Sequence, residues 1–176
     1  HPLPGNPKPR LIRLAGEESL LNAMGFPNKG VASAARHIEA ARGRMNSTPV
    51  IVSISGTSPA EVIRCHRRLE PIVEAVEVNI SSPNTNGLRV FHNPQVLREL
   101  LDGINESRQR PLAVKLPPYS GSEPSHEDRN RTAALVRECV GAGVDGLTVS
   151  NSRPVTDSRL SVGNGGLSGK SLLRAT

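Results

Sequence analysis

Tryptophan is absent from this chain of 176 residues, and only two phenylalanines and one tyrosine are present. The core must therefore rest on Val, Ile, Leu and Ala. The same scarcity bears on partners. Net charge is +6, a surplus that suits nucleic acid or an acidic membrane surface. Binders of single strands stack bases on aromatic side chains, yet no aromatic lies beside the densest arginine run, Arg64, Arg67 and Arg68. That run falls on a predicted helix and reads as a solvated face, so no nucleic-acid partner is expected.

Cysteine is scarce too. Cys65 and Cys139 lie far apart, in different predicted helices, and supply neither a disulfide framework nor a metal-ligand spacing. Free thiols in a reducing compartment are expected. His37, His66, His92 and His126 form no ligand cluster in the sequence, so no metal is expected. No apolar stretch approaches the ~20 residues of a membrane span, and no signal-peptide pattern opens the chain. The stretch itself is expected to be soluble.

What is present is alternation, in a length sufficient for one domain with a sizeable core. Residues 1–10 hold four prolines and a glycine and read as an extended connector. Residues 11–28 read as irregular, with a turn or two of helix over 17–24. Helices are predicted over 30–46, from the cap Ser58 to about Glu74, from Asn93-Pro94 to about Ser107, and over 126–141 behind the cap Ser125. Between them, Pro49–Ser55, Val76–Ile80, Pro111–Leu116 and Asp145–Ser150 are short apolar runs that read as strands. A further helix is expected to start at Ser168. Strands separated by helices of this length imply parallel pairing with crossovers, in a barrel or a doubly wound sheet. In both, chemistry gathers where the strands end. The polar positions comply: Ser53 and Ser55, Asn79 and Ser82, Lys115, then Ser150, Asn151 and Ser152 fall at successive strand ends.

The richest of these ends is Glu77 to Arg89, Glu-Val-Asn-Ile-Ser-Ser-Pro-Asn-Thr-Asn-Gly-Leu-Arg. A polar turn would account for the proline, glycine and asparagines. Asn79 is different, because a carboxamide inside an apolar run must find partners or cost stability. Asn79, Ser81, Ser82, Asn84, Thr85 and Asn86 offer donors and acceptors without fixed charge, a set suited to a flat heterocycle bearing carbonyls and ring N–H groups. Lys115 interrupts an apolar strand and needs an anionic partner if buried. In a flavin site it could face the N1–C2 carbonyl edge, where charge builds on reduction. The run from Gly163 to Ser171 invites a phosphate-loop reading, but position 164 is asparagine where the Walker pattern needs glycine. What it offers instead is backbone N–H groups at a predicted helix start.

Pro4-Gly-Asn-Pro-Lys-Pro-Arg10, Arg13-Leu14, Asn22 with Met24-Gly-Phe26, Asn79 to Thr85, Val114-Lys115, Asp145 to Asn151 and Gly165 to Lys170 together resemble dihydroorotate dehydrogenase. The likeness is closer to the quinone-dependent class 2 enzymes, on the strength of Ser82, where class 1 enzymes usually carry cysteine. The resemblance implies an α/β fold, the central portion of a (β/α)8 TIM barrel. It would form a single partial domain, with 1–29 as connector and substrate loop and 30–176 as βα repeats. It implies FMN as cofactor, dihydroorotate and orotate as substrate and product in pyrimidine synthesis, and a quinone as electron acceptor. By residue, Ser82 would take the C5 proton while hydride passes from C6 to the flavin. Asn22, Phe26, Asn79, Asn84, Asn151 and Ser152 would hold substrate. Asn79, Lys115, Ser150, Gly169 and Ser53 would contact the flavin. Thr85 and Phe26 would flank the proton's path, and Arg13 would lie near the quinone tunnel.

Two departures stand out. The strand Val-Ser53-Ile-Ser55-Gly56 is closer to class 1 wording, and Ala23 and Pro27 replace more usual residues around Asn22. The family's first strands, its last two strands with their phosphate-binding glycines, and its membrane-binding helices are expected outside 1–176. The stretch alone is therefore expected to be inactive and to bind FMN weakly or not at all, while the parent sits peripherally on a bacterial or mitochondrial inner membrane. The alternatives are a class 1 relative using fumarate or NAD, and a non-catalytic barrel that binds a small ligand.

Overall fold

A computed structural model describes residues 2–44, 47–81, 88–119, 124–149 and 151–172. In chain order, β1 (Leu11–Leu14) and β2 (Ser19–Asn22) form a hairpin. There follow α1 (Val31–Arg42), β3 (Ile51–Ile54), α2 (Pro59–Leu69), β4 (Ala75–Asn79), α3 (Pro94–Asn105), β5 (Leu112–Lys115), α4 (His126–Gly141) and β6 (Gly146–Thr148). Two more strands, β7 (Arg153–Thr156) and β8 (Asn164–Gly169), complete the described strands. The strands make two sheets, a parallel one in the order β3-β4-β5-β6 and an antiparallel one in the order β1-β2-β8-β7.

The parallel sheet is built as the apolar runs imply. Side chains alternate across a strand, and β4 alternates accordingly: Val76 and Val78 are fully buried while Ala75, Glu77 and Asn79 are half-buried on the opposite face. On β5, Leu112 and Val114 take the buried face, Ala113 and Lys115 the other. The buried face packs under the helices. On α3, Leu97, Leu100, Leu101 and Ile104 recur at helical spacing and are all sealed from solvent, joined by Val62 and Leu69 from α2 and Leu135 and Cys139 from α4. Burying one such side chain contributes roughly 2 kcal/mol.

Capping sets where the helices begin. The Ser58 hydroxyl accepts the Glu61 N–H at 3.4 Å, with Pro59 in the first helical position. Asn93 Oδ1 accepts the Gln95 N–H at 2.9 Å. Ser125 and Asp128 close a reciprocal box, the Ser125 hydroxyl accepting the Asp128 N–H at 3.0 Å and the Asp128 carboxylate accepting the Ser125 N–H at 3.2 Å. Helix α2 ends at Leu69, short of the expected Glu74. Pro71 cannot donate to the α-helical ladder, and Glu70–Ile72 tightens to a 3-10 turn. The arginines of α2 are solvated as expected: Arg67 pairs with Glu106 at 3.0 Å and Arg68 with Glu39 at 3.3 Å.

The antiparallel sheet corrects two sequence expectations. Past a 3-10 turn at Ala15–Glu17, residues 18–24 are not helical, although Leu20, Leu21, Ala23 and Met24 favour a helix locally. Pairing overrides that propensity. Leu21 is buried and Leu20 exposed, the period of a strand, and Leu21 lies opposite both Ile12 and Leu167. The glycine run from 163 is strand β8, so the helix expected from Ser168 does not begin there; a 3-10 turn follows at Lys170–Leu172, and the remainder of that expectation lies outside the described residues. Its glycines serve close approach. A Cβ on Gly165 would stand 2.5 Å from the Asn22 carbonyl oxygen, and one on Gly166 would collide with the Ser152 hydroxyl. Leu21, Ala23, Leu160 and Leu167 form a second, smaller apolar cluster beneath this sheet.

Candidate active site

The C-terminal ends of the parallel strands deliver the polar groups. Asn79 closes β4, Lys115 closes β5, and the two are register partners; Lys115 in turn lies opposite Thr148 on β6. Lys115 is half-buried, and among the described residues its ammonium has no hydrogen-bond or ion-pair partner.

From Asn79 a hydrogen-bonded path runs to Ser152, which packs against the second sheet. Asn79 Oδ1 accepts the Ser81 N–H at 3.0 Å and the Ser81 hydroxyl at 2.6 Å. The Asn151 Nδ2 group donates to the Ser81 Oγ at 2.7 Å and more weakly to its carbonyl at 3.4 Å. Asn151 Oδ1 accepts the N–H of Ser152 at 2.8 Å. Ser152 then abuts Gly166, whose carbonyl accepts from Asn22 Nδ2 at 3.4 Å. Four expected residues, Asn22, Asn79, Asn151 and Ser152, thus stand along one seam, with Lys115 at its end.

The loop behind Asn22 is held from the amino-terminal segment. Asn6 donates through Nδ2 to the Ala23 carbonyl at 2.9 Å and through its backbone to Met24 at 3.0 Å. Arg10 ties that segment by donating to the carbonyls of Pro4 and Asn6, each at 3.0 Å. Phe26 sits in this loop at φ 51°, a conformation rare outside glycine, and packs against the main core. The Pro4–Arg10 motif is therefore a brace for the loop that carries Asn22 and Phe26.

Other expected residues are placed differently. Ser53 is in register with Glu77, one layer below Asn79, and its hydroxyl donates to the Glu77 carboxylate at 2.7 Å. Its proton is committed within the protein. Gly169 pairs with Ser19, at the far end of the ladder from the Asn22–Gly166 pair, about 10 Å along an extended strand. It does not join the seam, because the segment expected to coil into a helix is extended. Arg13 is exposed on β1 opposite Leu20, with Leu11 on the same face. Ser82, Asn84, Thr85 and Ser150 lie outside the described residues.

Sequence reasoning missed two contributors. Glu77 accepts from Ser53 and, through its other oxygen, from Thr148 at 2.6 Å, so one carboxylate ties β3, β4 and β6 across their shared face. Its signal was parity: a charge in an apolar strand, two positions from Asn79. His92 reaches back to the Ile80 carbonyl at 2.9 Å and fixes the backbone beside Ser81. Both thiols stay outside the site. Burial pushes Cys139 up to about 11 and raises Cys65, which leaves them protonated and unreactive at neutral pH. Among the described residues no three His, Cys, Asp or Glu side chains gather as metal ligands.

Parallel strands with crossover helices and polar strand tips define part of a (β/α)8 barrel, here faced by an antiparallel sheet that carries Asn22 and Ser152. Comparison with solved structures agrees. A dihydroorotate dehydrogenase of Eimeria tenella, crystallised with ferulenol, superposes with a TM-score of 0.77 at 21% identity, over 96% of this chain and 53% of its own. Its ligand-free form gives 0.74 at 24% identity. The family model for dihydroorotate dehydrogenase matches residues 1–176, and the chain belongs to that family. Among its relatives, the dihydroorotate dehydrogenase (quinone) of Xylella fastidiosa is 33% identical over 98% of this chain and 52% of its own length. The corresponding protein of Chloroflexus aurantiacus is 36% identical over 98% and 52%. The chain thus spans about half the length of the relatives it matches.

Proposed function

We propose that the protein bearing these residues oxidises dihydroorotate to orotate, with FMN as cofactor and a quinone as the final electron acceptor. The observation that carries this reading is the seam itself: uncharged carboxamides and hydroxyls from both sheets, ending at a half-buried lysine with no partner among the described residues. A pyrimidine ring presents carbonyls and N–H groups along its edge, which amides satisfy without adding charge. Lys115 and the Nδ2 group of Asn79 suit the electron-rich carbonyl edge of a flavin, and these are the residues that would hold it. Bound FMN supplies the acceptor for the hydride that leaves substrate C6.

The chain's own residues do the rest. Asn22, Asn79, Asn84, Asn151 and Ser152 hold the ring in one orientation, so that the reacting carbon is presented without a search. Ser82, three residues past Asn79, removes the proton at C5. A serine hydroxyl is a weak base, and Thr85 provides a second hydroxyl through which the proton leaves. Phe26, braced by its loop, keeps bulk water from that side. Arg13 stands between Leu11 and Leu20 on the exposed face of the hairpin, and this apolar surface with one cation is where a quinone would approach. Association with a membrane surface follows from that acceptor; no described helix is long and apolar enough to cross a membrane.

The test is Ser82→Ala in the full-length protein. Dihydroorotate oxidation should fall at least about a hundredfold, the scale of a lost general base, while the visible spectrum of bound FMN persists. Unchanged turnover would remove Ser82 as the base. Reoxidation of the reduced protein by a quinone, and not by fumarate, separates the quinone reading from the class 1 alternative.

A further inference from the structure

Ser81 is fully buried, and although its hydroxyl is among the polar groups suited to a heterocycle, the family resemblance assigns it neither the role of base nor a ligand contact. Its hydroxyl stands between two carboxamides that are 72 residues apart in the chain, Asn79 and Asn151. The hydrogen-bond directions around it can be deduced without assuming any amide orientation. A backbone N–H can only donate, so the Asn79 atom 3.0 Å from the Ser81 nitrogen must be the oxygen. That oxygen can only accept, so the Ser81 hydroxyl 2.6 Å away must spend its single proton on it. What remains on the hydroxyl is lone pairs, so the Asn151 atom 2.7 Å away must be the NH2 group. The far side agrees independently: the other Asn151 atom faces the Ser152 N–H at 2.8 Å and must be the oxygen. Two backbone N–H groups thus close the path at its ends, and the Ser81 hydroxyl is the one link whose direction makes both ends compatible.

We infer that Ser81 is a positioning residue: its hydroxyl ties together two carboxamides whose orientations the Ser81 and Ser152 N–H groups set, so that Asn79 presents its NH2 group as a donor and Asn151 is held to the β4 loop. The consequence for ligand choice is a fixed donor pattern. With Asn79 Oδ1 doubly engaged, this residue can offer only N–H to a ligand, which favours a carbonyl oxygen over a ring N–H at that point. The same link couples the loop after β4 to the loop after β6.

The two amides should respond unequally to loss of the hydroxyl. Asn79 keeps the Ser81 backbone donor whatever the side chain, whereas Asn151 loses the 2.7 Å contact that ties it to the loop after β4. The test uses Ser81→Ala and the nearly isosteric Ser81→Cys, whose thiol is a weak hydrogen-bonding group, in the full-length protein. Its kinetic arm rests on the proposed function. With FMN content unchanged, KM for dihydroorotate should rise about tenfold in both variants, the scale of one buried group left without its partner, and kcat should change much less. KM within twofold of wild type in Ser81→Cys overturns the inference, because volume alone would then account for the serine. The second arm needs no turnover. Side-chain amide resonances of Asn151 should move in both variants, with those of Asn79 moving less. If the wild type fails to oxidise dihydroorotate, the functional reading falls and this arm alone decides: unmoved Asn151 resonances, or a larger shift at Asn79, overturn the positioning role.

Discussion

The two sheets meet along one seam but are built by different rules. The parallel sheet takes its strength from a continuous layer of Val, Leu and Ile under four helices, and its polar residues are confined to the opposite face and the strand tips. The antiparallel sheet has only four buried apolar residues of its own and depends instead on backbone proximity, with glycines where Asn22 and Ser152 press close. One region thus holds its site residues by anchoring the strands beneath them; the other holds them by leaving no room to move.

That contrast can be broken by substitution. Leu100→Ala, in the centre of α3, should cost about 3 kcal/mol of stability, read as a lower denaturant midpoint. Gly165→Ala should cost less, about 2 kcal/mol, because its new Cβ would meet the Asn22 carbonyl and the Leu160 side chain. Its effect on ligand binding should nonetheless be the larger of the two, since it displaces Asn22 directly. If Leu100→Ala weakens orotate binding more than Gly165→Ala does, the division of labour between the sheets is wrong. Ser125→Ala removes the cap of α4 and should cost about 1 kcal/mol, with binding unchanged.

The smallest effect concerns pH, and it too separates the regions. Burial lowers the pKa of His66, outweighing the Glu70 carboxylate 3.8 Å away, and burial likewise lowers that of His92. Both sit in the parallel unit. The unfolded chain then binds protons more readily than the folded one below about pH 6.5, so stability is full above that value and declines as pH falls toward the folded pKa values. In the turn between β7 and β8, the hydrogen-bonded Arg159 guanidinium holds Asp157 down at about 2. Its contribution is present above pH ~4 and is lost only as pH falls toward 2. His66→Gln should flatten the fall of the melting temperature that begins as pH drops below about 6.5, and leave in place the fall toward pH 2 that Asp157 sets.

The same contrast explains how much could be read from the sequence. The parallel unit was legible because each element carries its own signal: Val76-Glu-Val-Asn79 as a strand, Leu97 to Ile104 as a helical face, and Ser58, Asn93 and Ser125 as caps. Asn79 and Lys115 stood out as polar residues in apolar runs, and Asn151 and Ser152 as polar residues at a strand end. The antiparallel sheet was not legible. Strand β2 has two leucines that favour helices and continues into Ala23 and Met24, and β8 is rich in glycine, which carries no side-chain period at all. Only pairing between segments 144 residues apart makes strands of them, as the Asn22–Gly166 contact illustrates. Glu77 was hidden for another reason: its partners Ser53 and Thr148 lie on separate strands, and only the sheet's register brings them within reach.

The most direct measurement is calorimetric titration of orotate into the full-length oxidised protein and its Asn22→Ala, Asn79→Ala and Asn151→Ala variants. A single hollow formed by both sheets predicts that the wild type binds and that each of the three variants binds at least about tenfold more weakly, the scale of a lost buried hydrogen bond. No binding by the wild type, or affinities within twofold of it for Asn22→Ala while the other two are impaired, would contradict a hollow shared between the sheets.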